Sequence, residues 1–94
     1  MKARPLNYRD RRFMGYRIAN LRTAAEETQV QFSGRYSVNR LAVIRWECGE
    51  NIPKMRVLKQ MAEDFNTTVE WILYGEGEKD ERSPMDQTQS WNVR

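Results

Sequence analysis

Apolar positions along this chain fall into short stripes at helical spacing, separated by polar residues suited to caps and turns. From about Asp10, the residues Met14, Ile18, Leu21 and Ala25 recur on one face, while Arg17, Asn20 and Thr23 fall elsewhere. That is the three-to-four spacing of an amphipathic helix. Gly15 lies inside this stripe and costs ~1 kcal/mol relative to alanine, which places the firm part of the first helix after it. Thr28 and Gln31 have the spacing of a capping box, and Phe32 and Tyr36 lie four apart, so a short second helix is predicted over 29–36. Ser37-Val38 interrupts the pattern. Asn39 suits the N-cap of a third helix that runs to about Glu47 or Cys48. Val43 and Trp46 mark its inward face, Arg40, Leu41 and Arg45 lie on other faces, and Gly49 suits the position just past its end.

Glu50-Asn51-Ile52-Pro53 reads as a turn, with Pro53 at the entry to the next helix. A fourth helix is predicted from about Lys54 to Phe65, its stripe formed by Met55, Leu58, Met61, Ala62 and Phe65. Asn66 stops it, because asparagine tolerates the left-handed conformation. Thr67 or Thr68 caps a fifth helix, and Thr67 with Glu70 again fits a capping box. That helix carries Val69, Ile72 and Leu73 with Trp71 and Tyr74 alongside, and Gly75 and Gly77 finish it. The expected fold class is therefore all-α, a compact bundle of five short helices.

Composition sharpens the boundaries. Residues 1–9 contain Pro5, Lys2, Arg4 and Arg9 and read as a basic N-terminal arm; 10–77 is the folded domain. Residues 78–94 are rich in charge, serine and glutamine, with Met85, Trp91 and Val93 as their apolar side chains. Such a segment lacks the apolar surface to offset its ordering entropy and reads as a polar tail or linker. The net charge of +3 is unevenly spread: residues 1–25 hold seven basic and one acidic side chain, while 76–94 hold three basic and five acidic. A basic front with an acidic tail suits a phosphate-binding module. There is no histidine and one cysteine, Cys48, so a structural zinc site lacks ligands and a histidine-based triad is excluded. No enzyme activity and no cofactor are expected. No apolar run approaches the ~18 residues of a membrane span, and a reduced, cytoplasmic protein is expected.

The ordering of these features resembles the lambda-repressor-like, Cro-type helix-turn-helix regulators of bacteria and temperate phages. The similarity runs from about Arg17 to Gly77. It rests on Thr28-Gln29-Val30-Gln31-Phe32-Ser33, Ser37-Val38-Asn39, Val43-Ile44-Arg45-Trp46-Glu47, Gly49, Pro53 and Glu70-Trp71-Ile72-Leu73-Tyr74-Gly75-Glu76-Gly77. Ser33 is the small residue where two such helices cross. Two departures stand out: Ser37 occupies a turn position that is usually glycine, and so has to accept a positive φ at some cost, and Gly34 lowers the local stability of the second helix. The resemblance implies a helix-turn-helix over Thr28–Glu47 whose second helix reads the major groove.

Site residues follow from that match. Arg40, Leu41 and Arg45 take the base-reading positions; an arginine can bond guanine through two atoms and Leu41 can touch a thymine methyl. Thr28, Gln29, Asn39, Asn51 and Lys54 are expected along the phosphate strand. Asn39 keeps two readings, helix cap or nucleic-acid contact. Arg4, Arg9, Arg11 and Arg12 are either arm contacts to phosphate or minor groove, or simply solvated. Arg22 and Glu47 match a structural ion pair that is costly to break singly. Trp46, Trp71, Met55 and Met61 read as core, and Cys48 as a surface thiol.

The implied partner is a double-stranded DNA operator, palindromic and bound by a homodimer, with repression as the implied outcome. The alternative is a protein-interaction module, such as an antitoxin or an antirepressor-binding regulator, that takes a protein partner through the tail residues Trp91 and Val93. The chain also reads equally as a free-standing regulator or as the N-terminal domain of a longer repressor.

Overall fold

A computed structural model of the chain describes residues 5–75, so Arg4 and the tail residues singled out above lie outside the described residues. Five helices follow one another: α1 (Tyr8–Ala24), α2 (Gln29–Arg35), α3 (Arg40–Cys48), α4 (Met55–Asp64) and α5 (Val69–Tyr74). The described residues contain no strand, and none of their helices is long and apolar enough to cross a membrane.

Helix α1 begins earlier than its apolar stripe suggests. The Asn7 side chain accepts from the Asp10 amide at 2.8 Å, and the Asp10 carboxylate accepts from the Asn7 amide at 3.3 Å. This reciprocal box satisfies two amides that a helix start otherwise leaves unpaired. Arg9, expected in an extended arm, is therefore inside the first turn of α1. Gly15 does not delay the helix either. It is buried, and a Cβ there would lie 2.8 Å from the carbonyl carbon of Glu47, closer still to its oxygen, and 2.9 Å from the carbonyl oxygen of Trp46. The glycine thus lets α1 and α3 approach backbone to backbone.

Thr28 caps α2 with the expected Gln31 box, and Asn39 caps α3 by accepting from the Ala42 amide at 2.9 Å. The fifth helix departs from expectation. Thr68, not Thr67, is its cap, accepting from the Trp71 amide at 2.9 Å. The Thr67 amide instead closes the end of α4 on the Ala62 carbonyl at 2.9 Å, so the Thr67–Glu70 box does not form. Four successive helices end in the same left-handed wrap, at Glu26 (φ +58°), Ser37 (+57°), Gly49 (+82°) and Asn66 (+54°). In each, the next amide bonds back to the carbonyl five residues earlier: Glu27 to Arg22, Val38 to Ser33, Glu50 to Arg45 and Thr67 to Ala62. Ser37 thus holds the strained turn position that its sequence context required.

The core draws on all five helices. Met14 and Ile18 of α1, Phe32 of α2, Val43 of α3, Leu58 and Met61 of α4 and Ile72 of α5 are fully buried. Trp46 and Trp71 are buried with them, so neither indole offers a stacking platform. Phe32 meets Tyr36 edge-on at 5.2 Å between ring centroids, a favoured aromatic geometry. Met55 is a correction: it is 52% exposed, and Val57 packs inward instead. Met55 is the first residue of α4, and helical side chains lean toward the N-terminus, so its thioether overhangs the end of the core. Ala25 is half-buried at the cap of α1.

Candidate nucleic-acid interface

The outer face of α3 is built by subtraction. Val43 and Trp46 take its inward positions, and Gly15 brings the helix so close to α1 that Glu47 is drawn into the seam. What is left outside is Arg40, Leu41 and Arg45, with Cys48 exposed at the last position of the helix. Leu41 is 47% exposed, a large apolar side chain held in solvent at the start of the helix. Arg40 is exposed and has no ion-pair or hydrogen-bond partner among the described residues. Arg45 has one: its Nε lies 3.7 Å from a carboxylate oxygen of Glu50, and both side chains are largely exposed.

Glu47 ties three helices together. Arg22 grips its carboxylate with two bonds, 2.6 Å from Nε and 3.2 Å from Nη2, while Arg22 Nη1 donates to the Glu27 carbonyl at 2.9 Å. Gln29 Nε2 donates to the same carboxylate at 3.2 Å. A charge pair this sheltered is favourable only when its remaining lone pairs are also satisfied, and Gln29 supplies that third bond. The Gln29 amide, expected on a phosphate, is thereby pre-positioned by Glu47 beside the start of α2.

The other phosphate-strand candidates divide by exposure and by task. Thr28 and Asn39 both spend a side-chain oxygen on capping. Asn51 and Lys54 are exposed in the segment after α3; Lys54 is the N-cap residue of α4 and makes no side-chain cap bond. Between the α2–α3 turn and α4 lies an open polar cleft of about 440 Å³ lined by Arg35, Tyr36, Ser37, Arg56, Gln60 and Asp64. Arg56 thus lines the cleft beside the turn, although neither a cap nor a stripe position singles it out in the sequence.

The basic front of the chain has more local tasks than its charge suggests. Arg11 Nε donates to the Gly49 carbonyl at 2.8 Å and Arg11 Nη1 to the Leu6 carbonyl at 3.1 Å, so this guanidinium locks α1 to the end of α3. Arg12 donates to the hydroxyls of Tyr8 (2.9 Å) and Tyr16 (3.0 Å). Those bonds, that to Tyr8 foremost, raise its pKa further, so it stays a cation throughout the accessible pH range. Arg9 lies over the Phe13 ring, 5.7 Å from its centroid, a cation–π distance. Arg17 holds the far end of α5 by donating to the Ile72 and Leu73 carbonyls, each at 2.9 Å. The sequence offers no local signal for Arg17, since its partners lie more than fifty positions away.

A third cluster sits under the cleft. Arg35 holds Glu27 through two nitrogens, lies 3.5 Å from Asp64, and stacks over Phe65 at 5.2 Å. The Glu27 bond is the main reason that the Arg35 pKa is raised. Tyr36, 3% exposed, donates its hydroxyl to Asp64 at 2.9 Å. Burial, and then the neighbouring Asp64 carboxylate, push the Tyr36 ionisation far above its ordinary range. Among the described residues, no group of three or more histidine, cysteine, aspartate or glutamate side chains converges as metal ligands. Cys48 is an exposed free thiol.

Comparison with known proteins places these observations in context. No family model matches the chain, and no solved structure matches it. The chain is 35% identical over 60 residues, 64% of its length, to the HTH-type transcriptional activator BcrR of Enterococcus faecalis. It spans 29% of the length of that relative. The chain is thus similar, over that stretch, to part of a helix-turn-helix transcriptional regulator.

Proposed function

We propose that this chain is a sequence-specific duplex-DNA-binding transcriptional regulator, with α3 as the recognition helix. The observation that carries the reading is the outward set Arg40, Leu41 and Arg45 on a helix whose opposite face is locked into the core by Val43 and Trp46. Two cations and one apolar side chain on a rigid, solvent-facing helix suit hydrogen bonds to guanine and contact with a thymine methyl. Gln29, Asn51 and Lys54 are the proposed phosphate contacts, fixing register without reading sequence. Thr28 and Asn39 contribute to the phosphate strand through residual bonding capacity beyond their caps. Arg9 and Arg12 extend the positive field along α1, whereas Arg11 is committed to the α1–α3 junction.

A single module of this kind covers about 600–1,000 Å² of surface. A homodimer on a palindromic operator, with half-sites about one helical turn apart, is the proposed binding unit. Repression follows where the operator overlaps a promoter. The name of the similar protein favours activation as the second reading, and a promoter-fused reporter separates the two by the sign of its response.

Selection of bound sequences from a random duplex pool tests the proposal. The expected result is an enriched palindromic motif. Arg45→Ala then relaxes preference at one position per half-site, and Lys54→Ala weakens every sequence alike. Failure to enrich any motif at low salt overturns the reading.

A further inference from the structure

The wrap that ends α3 has an unusual occupant. In this type of helix ending, the residue after the left-handed glycine is folded back over the residue five positions earlier, and the two side chains commonly make a hydrophobic contact. Here those residues are Glu50 and Arg45. The Glu50 amide donates to the Arg45 carbonyl at 2.9 Å, the Asn51 amide follows at 3.3 Å, and Gly49 supplies the positive φ of +82° that the wrap needs. Arg11 Nε fixes the same glycine from α1 by bonding its carbonyl at 2.8 Å. The backbone carrying Glu50 is therefore held from two sides, and its carboxylate lies 3.7 Å from Arg45 Nε. The pair is a charged version of a contact that is ordinarily apolar.

So exposed a pair, with side-chain exposures of 48% and 67%, contributes little to the stability of the fold. Its consequence is for the direction of the guanidinium. An unrestrained arginine on a recognition helix has two attractive destinations on a duplex, a phosphate and a base edge, and only the second carries sequence information. A carboxylate at Nε leaves the Nη pair free to meet an acceptor edge and opposes a swing toward the phosphate strand, which the carboxylate itself repels.

We propose that Glu50 is a specificity-determining positioning residue: it orients Arg45 for base contact and disfavours the phosphate-bound arrangement. This rests on the DNA-reading assignment of α3. The test compares affinities of the full chain for its selected duplex and for a scrambled duplex over a range of salt concentrations. Glu50→Gln removes the charge. It is expected to raise affinity for both duplexes, to steepen the salt dependence by about one phosphate contact, and to lower the selected-to-scrambled ratio about 3–5-fold. Glu50→Asp keeps the charge but withdraws the carboxylate by one methylene. It lowers the ratio while leaving scrambled-duplex affinity unchanged. In an Arg45→Ala background, neither substitution changes the ratio.

A ratio unchanged by Glu50→Gln in the wild-type background overturns the proposal while leaving the DNA-reading assignment standing. An equal fall in the ratio with and without Arg45 also overturns it, because Glu50 then acts without Arg45. Absence of any selected motif for the wild-type chain removes both. Thermal melting of each variant monitors the fold, which the Glu50 backbone amide supports whatever its side chain.

Discussion

At the scale of single residues, the most perturbed group in the described domain is a buried tyrosine at the end of α2. Tyr36 is almost fully buried and donates to Asp64, and both circumstances favour its neutral form. A group whose folded pKa is raised holds its proton more tightly in the native state. Its contribution to stability is therefore complete below the ordinary tyrosine pKa of about 10 and declines as pH rises above that value. Tyr36→Phe is expected to cost about 1–2 kcal/mol at neutral pH, since Asp64 loses a donor in a sheltered site. The gap between wild type and variant should narrow above about pH 10. Urea denaturation at a series of pH values measures it, and a pH-independent gap would count against this account.

At the scale of elements, the sharpest constraint is the crossing of α1 and α3. A Cβ on Gly15 would have no room against the backbone of Glu47 and Trp46, which cannot move aside as a flexible side chain can. Gly15→Ala is favoured by helix propensity by ~1 kcal/mol, yet it is expected to destabilise by about 2 kcal/mol or more because packing outweighs propensity here. Its melting temperature should fall, and α3 should be displaced enough to weaken DNA binding as well. The turn between α2 and α3 predicts the opposite sign. Ser37 sits at φ +57°, where a Cβ costs ~1–2 kcal/mol, partly offset by the greater unfolded-state freedom of glycine. Ser37→Gly should therefore stabilise by about 0.5–1 kcal/mol in the same denaturation assay.

At the scale of the whole molecule, long-range polar ties join elements far apart in sequence, and most of those described use an arginine, beside Gln29 to Glu47 and Tyr36 to Asp64. Arg22 reaches Glu47, Arg17 reaches the end of α5, Arg11 reaches Gly49, and Arg35 reaches Glu27 and Asp64. Much of the positive charge therefore serves the fold rather than a polyanion, and net charge overstates the surface on offer. Every core residue of the described domain lies between Met14 and Leu73. A chain ending at residue 77 is expected to melt within about 2 °C of the full chain, a shift that corresponds to less than ~0.5 kcal/mol at this size. Differential scanning calorimetry decides this, and a larger loss would show that residues 78–94 take part in folding.

Helix identity and inward faces are legible in the sequence because they depend on residues three or four apart. The Thr28 box, the Asn39 cap, the left-handed Asn66 and the terminal Gly49 all lie where those short-range rules put them, and the left-handed Ser37 lies where the resemblance implied it. The same rules miss the Asn7–Asp10 box, which precedes the first apolar position, and the left-handed Glu26, a residue type with no such preference. What tertiary structure alone decided is which polar side chains remain available. Arg11 and Arg17 look as solvent-ready as Arg40, but their partners lie across the fold, beyond the reach of any helical period. By itself the sequence determined that there would be a third helix with arginines on it. Its period also turned Arg40, Leu41 and Arg45 away from the inward face, whereas only the folded chain decided that Arg11 would bind Gly49, that Gln29 would bind Glu47 and that Glu50 would stand beside Arg45, because no helical period reaches those partners.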